Sequence, residues 1–388
     1  MKSKIFYALF LIVVTFILLE VTLRLTSTQK GHVTYLFGKK SYYLAPLDVP
    51  EEFPDINQQT DGYGIYDADV GWSYKSWGSA VPLYYANREG IRCSKDDYER
   101  GVADSTLRDT TAYTITCIGD SFTHGDEVLF EQAWPYYLEQ ETKAPVLNLG
   151  VGGYGIDQAT LRYIKFSPKS KIVLLGLITG DFERACTQIY GLSGGGLKTK
   201  PIFEFTGDSV TVKNIPALHG NALKSEFQNP GHSAFFAREA GYPALFVKRW
   251  PDHFYVIRVL KTLSIWRNAR KPIYKTDDSR LTYCLNILSY LNDKVKENDA
   301  ELYIVLLDNL NTFEDWKKGE GDPWALLKNK FEERKLRYVS MDRLMFDQYQ
   351  QTPDSIINKG MVHYTPHANL LVARWLSEKE FVKQATLN

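Results

Sequence analysis

"CIGDSFTHGD", residues 117–126, is the stretch on which the reading of this chain turns. An apolar run ends in Gly119-Asp120-Ser121, and a glycine-punctuated segment then leads towards a helix. Where a strand turns into a helix, a serine is exposed and the backbone N–H groups around it lack intrahelical partners. Gly119 permits the tight turn, and Asp120 can hydrogen-bond the local backbone. Alone, the tripeptide reads as an ordinary turn. Nucleophilic chemistry needs a base for the serine proton and donors aimed at the oxyanion that forms.

The surrounding pattern supplies both. Short apolar runs rich in β-branched residues recur at 112–119, 145–150, 171–178 and 301–310. Runs of this kind fit strands buried on both faces. Helical segments alternate with them: "WPYYLEQE" has Pro135 as its first helical residue, and Asp157 reads as the N-cap of "QATLRYIKF". The alternation predicts right-handed crossovers and a parallel sheet flanked by helices, with ligands at the carboxyl ends of the strands. Ser121 falls at one such end. The glycines of "NLGVGGYG" (148–155) let backbone approach a ligand, and Gly152 could donate its N–H to an oxyanion. In "VHYTPHANLLVARWL", His363 lies in a loop before the helix opened by Pro366, where it can swing over the strand ends to meet Ser121.

The remainder bounds the answer. Lys plus Arg equals Asp plus Glu at 46 each, so no bulk charge points to nucleic acid. Four cysteines are too few for a disulfide scaffold in 388 residues; Cys93 and Cys186 could pair in an oxidising compartment, which the sequence leaves open. CxxC and HExxH are absent and the seven histidines do not cluster, so no metal or other cofactor is expected. Ile5–Leu19 is apolar throughout and "EVTL" extends it to Arg24, giving 19 residues from Ile5 to Leu23. That is near the minimum for a spanning helix, and no small-x-small cleavage site follows. Residues 1–25 therefore read as an uncleaved transmembrane signal-anchor. Lys2 and Lys4 precede it and Arg24, Lys30, Lys39 and Lys40 follow, so charge does not settle its orientation. Residues 26–110 form a turn-rich extension, and 187–277 interrupt the alternation as an insertion, with a β-hairpin predicted in "IFEFTGDSVTV".

Taken in this order, GDSFTHG, NLGVGGYG and HYTPHAN resemble the SGNH (GDSL-type) hydrolase family. More narrowly, the chain resembles bacterial membrane-anchored members, which also carry an N-terminal apolar helix with an ending like "LLEVTLRL", a "DVGWSYK…NREGIR" segment and "GDEVLFEQAWPYYLE". The resemblance implies a three-layer α/β/α, flavodoxin-like domain over residues 111–388, with a parallel sheet. It implies Ser121 as nucleophile, His363 as base, and the N–H groups of Ser121 and Gly152 as oxyanion donors. It also places the domain outside the cytoplasm, as a single-pass membrane protein.

Two positions depart from the family. Where it has Gly-x-Asn-Asp after the third strand, this chain has "LITGDFERA": Gly180 replaces the asparagine and offers only backbone N–H, while Asp181 is kept to hold the loop. Where the family acid stands three residues before the histidine, Gly360 is found. Asp354, the nearest upstream carboxylate, or a backbone carbonyl would have to orient His363. His124 reads as wall packing, His367 as exposed, and His219, Asp252 and His253 as surface or substrate-contact residues. Three functions follow: an anchored ester hydrolase removing acyl groups from an envelope carbohydrate or similar small molecule, an O-acyltransferase using the same dyad, or a degenerate carbohydrate-binding or assembly protein.

Overall fold

The computed structural model describes residues 2–30, 33–41, 44–49, 53, 62–104, 111–192, 197–207, 209–269 and 271–387. The chain divides into two compact units. One holds residues 56–186, 200–217 and 272–388; the other holds residues 1–55, 187–199 and 218–271.

The first unit is built on five strands: β1 (Ile115–Gly119), β2 (Val146–Asn148), β3 (Ile172–Leu177), β4 (Glu301–Leu306) and β5 (Tyr338–Ser340). They lie in the order β5-β4-β3-β1-β2, all parallel. This is the flavodoxin-like order, with its topological switch between β1 and β3. Alternate side chains of each strand bury on opposite faces, as the pleat demands. Val173 and Leu175 join Ile118, Tyr163 and Leu288 on one side, whereas Ile172 and Leu174 join Cys117, Trp134 and Val372 on the other. Four of these strands lie within the apolar runs picked out from the sequence. β5 is three half-buried residues long, too short to stand out as a run.

Trp134–Thr142 is a helix with Pro135 in its first turn, and Pro366–Ser377 is the last long helix. The helix Ile156–Phe166 begins two residues earlier than expected: Gly155, not Asp157, is the N-cap. Asp157 instead lies buried in the first turn and ion-pairs with Lys200, itself buried. Burial pushes the Asp157 carboxyl up, opposed by the Lys200 charge. The predicted hairpin pairs Ile202–Thr206 with Ser209–Lys213 in antiparallel register and belongs to this unit. Residues 62–93 fold as small antiparallel ribbons, Gly64–Asp67 with Gly71–Tyr74 and Ser79–Ala80 with Tyr84–Tyr85.

The second unit carries the N-terminal helix Lys2–Thr26 and the helices Gly220–Gln228 and Tyr255–Ala269. Its core gathers Ala45, Leu47, Leu223, Phe227, Phe236 and Phe246. Lys4–Thr26 is long and apolar enough to cross a membrane, with mean hydropathy 2.5.

Candidate active site

β1 delivers the serine. Gly119 has φ of +149°, and a Cβ there would sit 2.4 Å from Thr123 Oγ1 and 2.5 Å from Gly176 O, so neither conformation nor space admits a side chain. Asp120 then caps the short helix Ser121–His124. Its Oδ1 accepts from Phe122 N–H at 2.9 Å, and its carbonyl accepts from Thr123 and His124 N–H at 3.1 and 2.9 Å. The first-turn donor left over is Ser121 N–H, for which no hydrogen bond is found among the described residues.

Ser121 and His363 meet across 242 positions of chain: Oγ and Nε2 are 2.8 Å apart. The other ring nitrogen, Nδ1, lies 2.6 Å from Glu127 Oε1. A carboxylate only accepts, so Nδ1 carries the proton and Nε2 is left to accept from the Ser121 hydroxyl. Glu127 Oε2 accepts further from His363 N–H at 3.3 Å and Asn358 Nδ2 at 3.4 Å. The carboxylate thus holds both the ring and the loop that bears it.

The orienting carboxylate is therefore Glu127, which corrects the expectation of Asp354 or a backbone carbonyl. Asp354 lies in the exposed turn Pro353–Ile356, 3.9 Å from Lys359. Gly360, in the family's acid position, has φ of +73° and no neighbour within 4 Å; it is the turn glycine that returns the chain to His363. Asn358 N–H closes that turn onto His363 O at 2.9 Å.

Glu127 is itself unusual, with φ of +69°. Left-handed backbone in a non-glycine residue persists only where its surroundings impose it. Here Tyr84 Oη accepts from Glu127 N–H at 2.8 Å. Buried Arg92 donates to the carbonyls of His124, Gly125 and Val128, the last at 2.6 Å. Arg92 comes from the "NREGIR" segment, so a stretch of the supposed extension fixes the loop that presents the acid.

A second imidazole–carboxylate pair lies on the same loop. His124 Nδ1 is 2.5 Å from Asp126 Oδ1, and Nε2 is 2.8 Å from Tyr63 Oη. Burial first, then the Arg92 charge, pushes the imidazole down to about 4, so His124 is neutral near pH 7. Burial acts to raise the Asp126 carboxyl, but His124 and then His363 hold it below the usual range.

Gly152 differs from expectation. Its N–H donates to Tyr74 Oη at 2.9 Å, and its carbonyl accepts from Trp72 Nε1 at 3.0 Å. The N–H expected at an oxyanion is thus already committed to a phenol. Gly180 opens the helix Gly180–Ala185, and the direction its Cβ would take meets Arg184 Nη2 at 3.5 Å. Arg184 Nη1 bridges Asp120 Oδ2 and Asp181 Oδ1, both at 2.8 Å. Asp181 Oδ2 also accepts from Ile178 N–H at 3.0 Å, which pins the loop. Burial and the neighbouring Asp120 charge push the Asp181 carboxyl well up, against Arg184. All four thiols are free, and the neighbour of Cys186 is Cys284, with sulfurs 3.7 Å apart, rather than Cys93.

No protein-family model and no curated protein matches the chain. Several solved structures are similar at low score. A lipolytic protein of the G-D-S-L family from Desulfitobacterium hafniense DCB-2 is 12% identical, with TM-score 0.37, over 68% of this chain and 97% of its own. A G-D-S-L family member from Veillonella parvula DSM 2008 is 12% identical, with TM-score 0.33, over 70% and 99%. The psychrotrophic esterase EstA from Pseudoalteromonas sp. is 11% identical, with TM-score 0.34, over 71% and 99%.

Glu127, Tyr74, Arg92 and Arg184 were not singled out by sequence reasoning. The one available signal is the acidic pair Asp126-Glu127 directly after GDSFTHG, in a glycine-flexed loop.

Proposed function

We propose that this chain is a membrane-anchored serine ester hydrolase working outside the cytoplasm, on an acylated envelope carbohydrate or similar small ester. The observation that carries the reading is the continuous line Ser121 Oγ, His363 Nε2, His363 Nδ1, Glu127 Oε1, with steps of 2.8 and 2.6 Å. Nucleophile, base and orienting acid within hydrogen-bond reach are what activates a serine.

In this reading Ser121 Oγ gives its proton to His363 Nε2 as it bonds to the ester carbonyl carbon. The imidazolium so formed is stabilised by Glu127. The carbonyl oxygen becomes an oxyanion beside Ser121 N–H, the uncommitted donor at the end of β1. Collapse breaks the bond to the leaving alcohol, which takes the proton from Nε2. Water then loses a proton to Nε2 and attacks the acyl-Ser121, and the serine leaves reprotonated with the free acid. A sugar hydroxyl in place of that water would make the same site a transferase. The non-catalytic reading rests on two departures, the glycine at 180 and the absent acid at 360; Glu127 within reach of His363 weighs against the second, and Gly180 still offers only backbone N–H.

Fluorophosphonate labelling of the full chain in detergent tests the proposal. The probe is expected to label the wild type, to fail on Ser121→Ala, and to label His363→Ala far more slowly. A folded wild type that is not labelled sinks the hydrolase reading.

A further inference from the structure

The unit bearing the N-terminal helix also carries apolar surface that no core accounts for. Trp250 is 74% exposed, Phe37 66%, Leu260 58% and Leu263 49%. Val256, Leu260 and Leu263 follow one another at helical spacing along Tyr255–Ala269. The opposite face of that helix is spoken for: Arg258 donates to Leu44 O and Pro46 O, and Thr262 Oγ1 accepts from Ala45 N–H.

Contacts with the N-terminal helix set the level at which this surface lies. Arg24 Nη2 donates to His253 O at 2.6 Å, Glu20 Oε2 accepts from Val256 N–H at 3.0 Å, and the Phe16 and Phe254 rings are 5.4 Å apart. Phe16 lies about 12 Å up the helix axis from Arg24, inside the apolar stretch. A segment that touches Phe16, Glu20 and Arg24 together is level with the last turns of a spanning helix. Phe37 N–H, bonded to Thr26 O at 2.9 Å, is level with its end. Glu20, a charge within the apolar stretch, is only 8% exposed and is paired with Arg24 at 2.7 Å. Carboxylates in spans need such partners. Lys39 and Lys248 lie two residues from Phe37 and Trp250, and Arg249 adjoins Trp250, within reach of the level where phosphate headgroups would meet them.

We infer that Trp250–Leu263, with Phe37, lies in the headgroup–acyl boundary of the bilayer that Lys4–Thr26 crosses, as an interfacial segment docked on the anchor. This rests on the anchor reading above. A ring of exposed aromatic and leucine side chains with flanking basic residues, level with a span's end, has the composition of such a segment.

The test uses the full chain in phosphatidylcholine–phosphatidylglycerol vesicles whose acyl chains are brominated near the headgroup or near the chain end. The wild-type spectrum minus that of Trp250→Phe isolates one of eight tryptophans. The expected difference emission is blue-shifted and is quenched more by shallow than by deep bromine. If the protein floats with the vesicles but the Trp250 component responds to neither lipid, the interfacial docking is wrong and the anchor stands. Shielding of Trp250 from soluble acrylamide as well as from lipid points to a protein partner or second copy, and also overturns the inference. Failure to float overturns anchor and docking together, and leaves the labelling result at Ser121 unaffected.

Discussion

Glu127→Gln is the sharpest test of the site. Three donors converge on this carboxylate: His363 Nδ1–H, His363 N–H and Asn358 Nδ2. Only a group that accepts on both oxygens satisfies them. A glutamine must turn its NH2 either to Nδ1, which forces the other tautomer and leaves Nε2–H facing Ser121, or to the two loop donors, which breaks the loop's tie. Either way it no longer offsets the imidazolium charge. Opposite unit charges about 2.6 Å apart attract by roughly 6 kcal/mol at an effective dielectric of about 20. Loss of the orienting acid in a serine triad costs about 10⁴ in kcat, or about 5 kcal/mol. The two magnitudes agree, so we expect turnover of p-nitrophenyl acetate to fall by about 10³–10⁴ with little change in KM. Fluorophosphonate labelling should slow in parallel, and circular dichroism should be unchanged. Asp354→Asn, made beside it, should behave as wild type. If Glu127→Gln labels as fast as wild type while Asp354→Asn does not, the assignment of the acid is refuted.

Other outcomes follow from the same geometry. The His124 imidazole is held down at about 4 against an unfolded value near 6.5, so the unfolded state binds the extra proton first. Its penalty is absent above pH 6.5 and grows as pH falls towards 4, reaching about 2 kcal/mol by pH 5. Urea midpoints of wild type should drop over that window and those of His124→Gln should drop less; equal slopes would count against the burial argument. Arg92→Met should cost about 3–5 kcal/mol, because it strands three carbonyls and frees the loop behind Glu127; thermal unfolding measures the loss, and activity should fall with it. Gly180→Ala has room, since the nearest atoms to its Cβ stand at 3.5–3.8 Å, and its φ is not left-handed. It should raise stability by about 0.4–1 kcal/mol and leave labelling unchanged; loss of labelling would give Gly180 a role its backbone alone does not explain.

Much of the fold is legible because burial on both faces of a parallel sheet writes continuous apolar runs. β1, β3 and β4 are found where Ile115–Gly119, Ile172–Leu177 and Glu301–Leu306 stand out, and β5, half-exposed and three residues long, leaves no such trace. The Ser121–His363 juxtaposition could be anticipated because both residues sit at the carboxyl ends of strands or in loops before helices, places a topology fixes. Glu127 is marked in the sequence only as half of an acidic pair, because its place depends on a left-handed backbone and on Arg92, 35 positions earlier, clamping three carbonyls. The commitment of Gly152 N–H to Tyr74 is equally hidden, since a tyrosine among 25 carries no mark of its partner.

Glu127 stands six residues after Ser121 on one clamped loop, while its partner imidazole arrives from position 363. In the proposed reading, Ser121 and Glu127 need only the strand end and the ribbon bearing Arg92 to be placed, and reactivity further requires the loop 358–363 to be seated on Glu127. During synthesis the serine would then stay inert until His363 had emerged and its loop was seated, 242 positions after Ser121 itself. Assembly order would itself act as a safety catch.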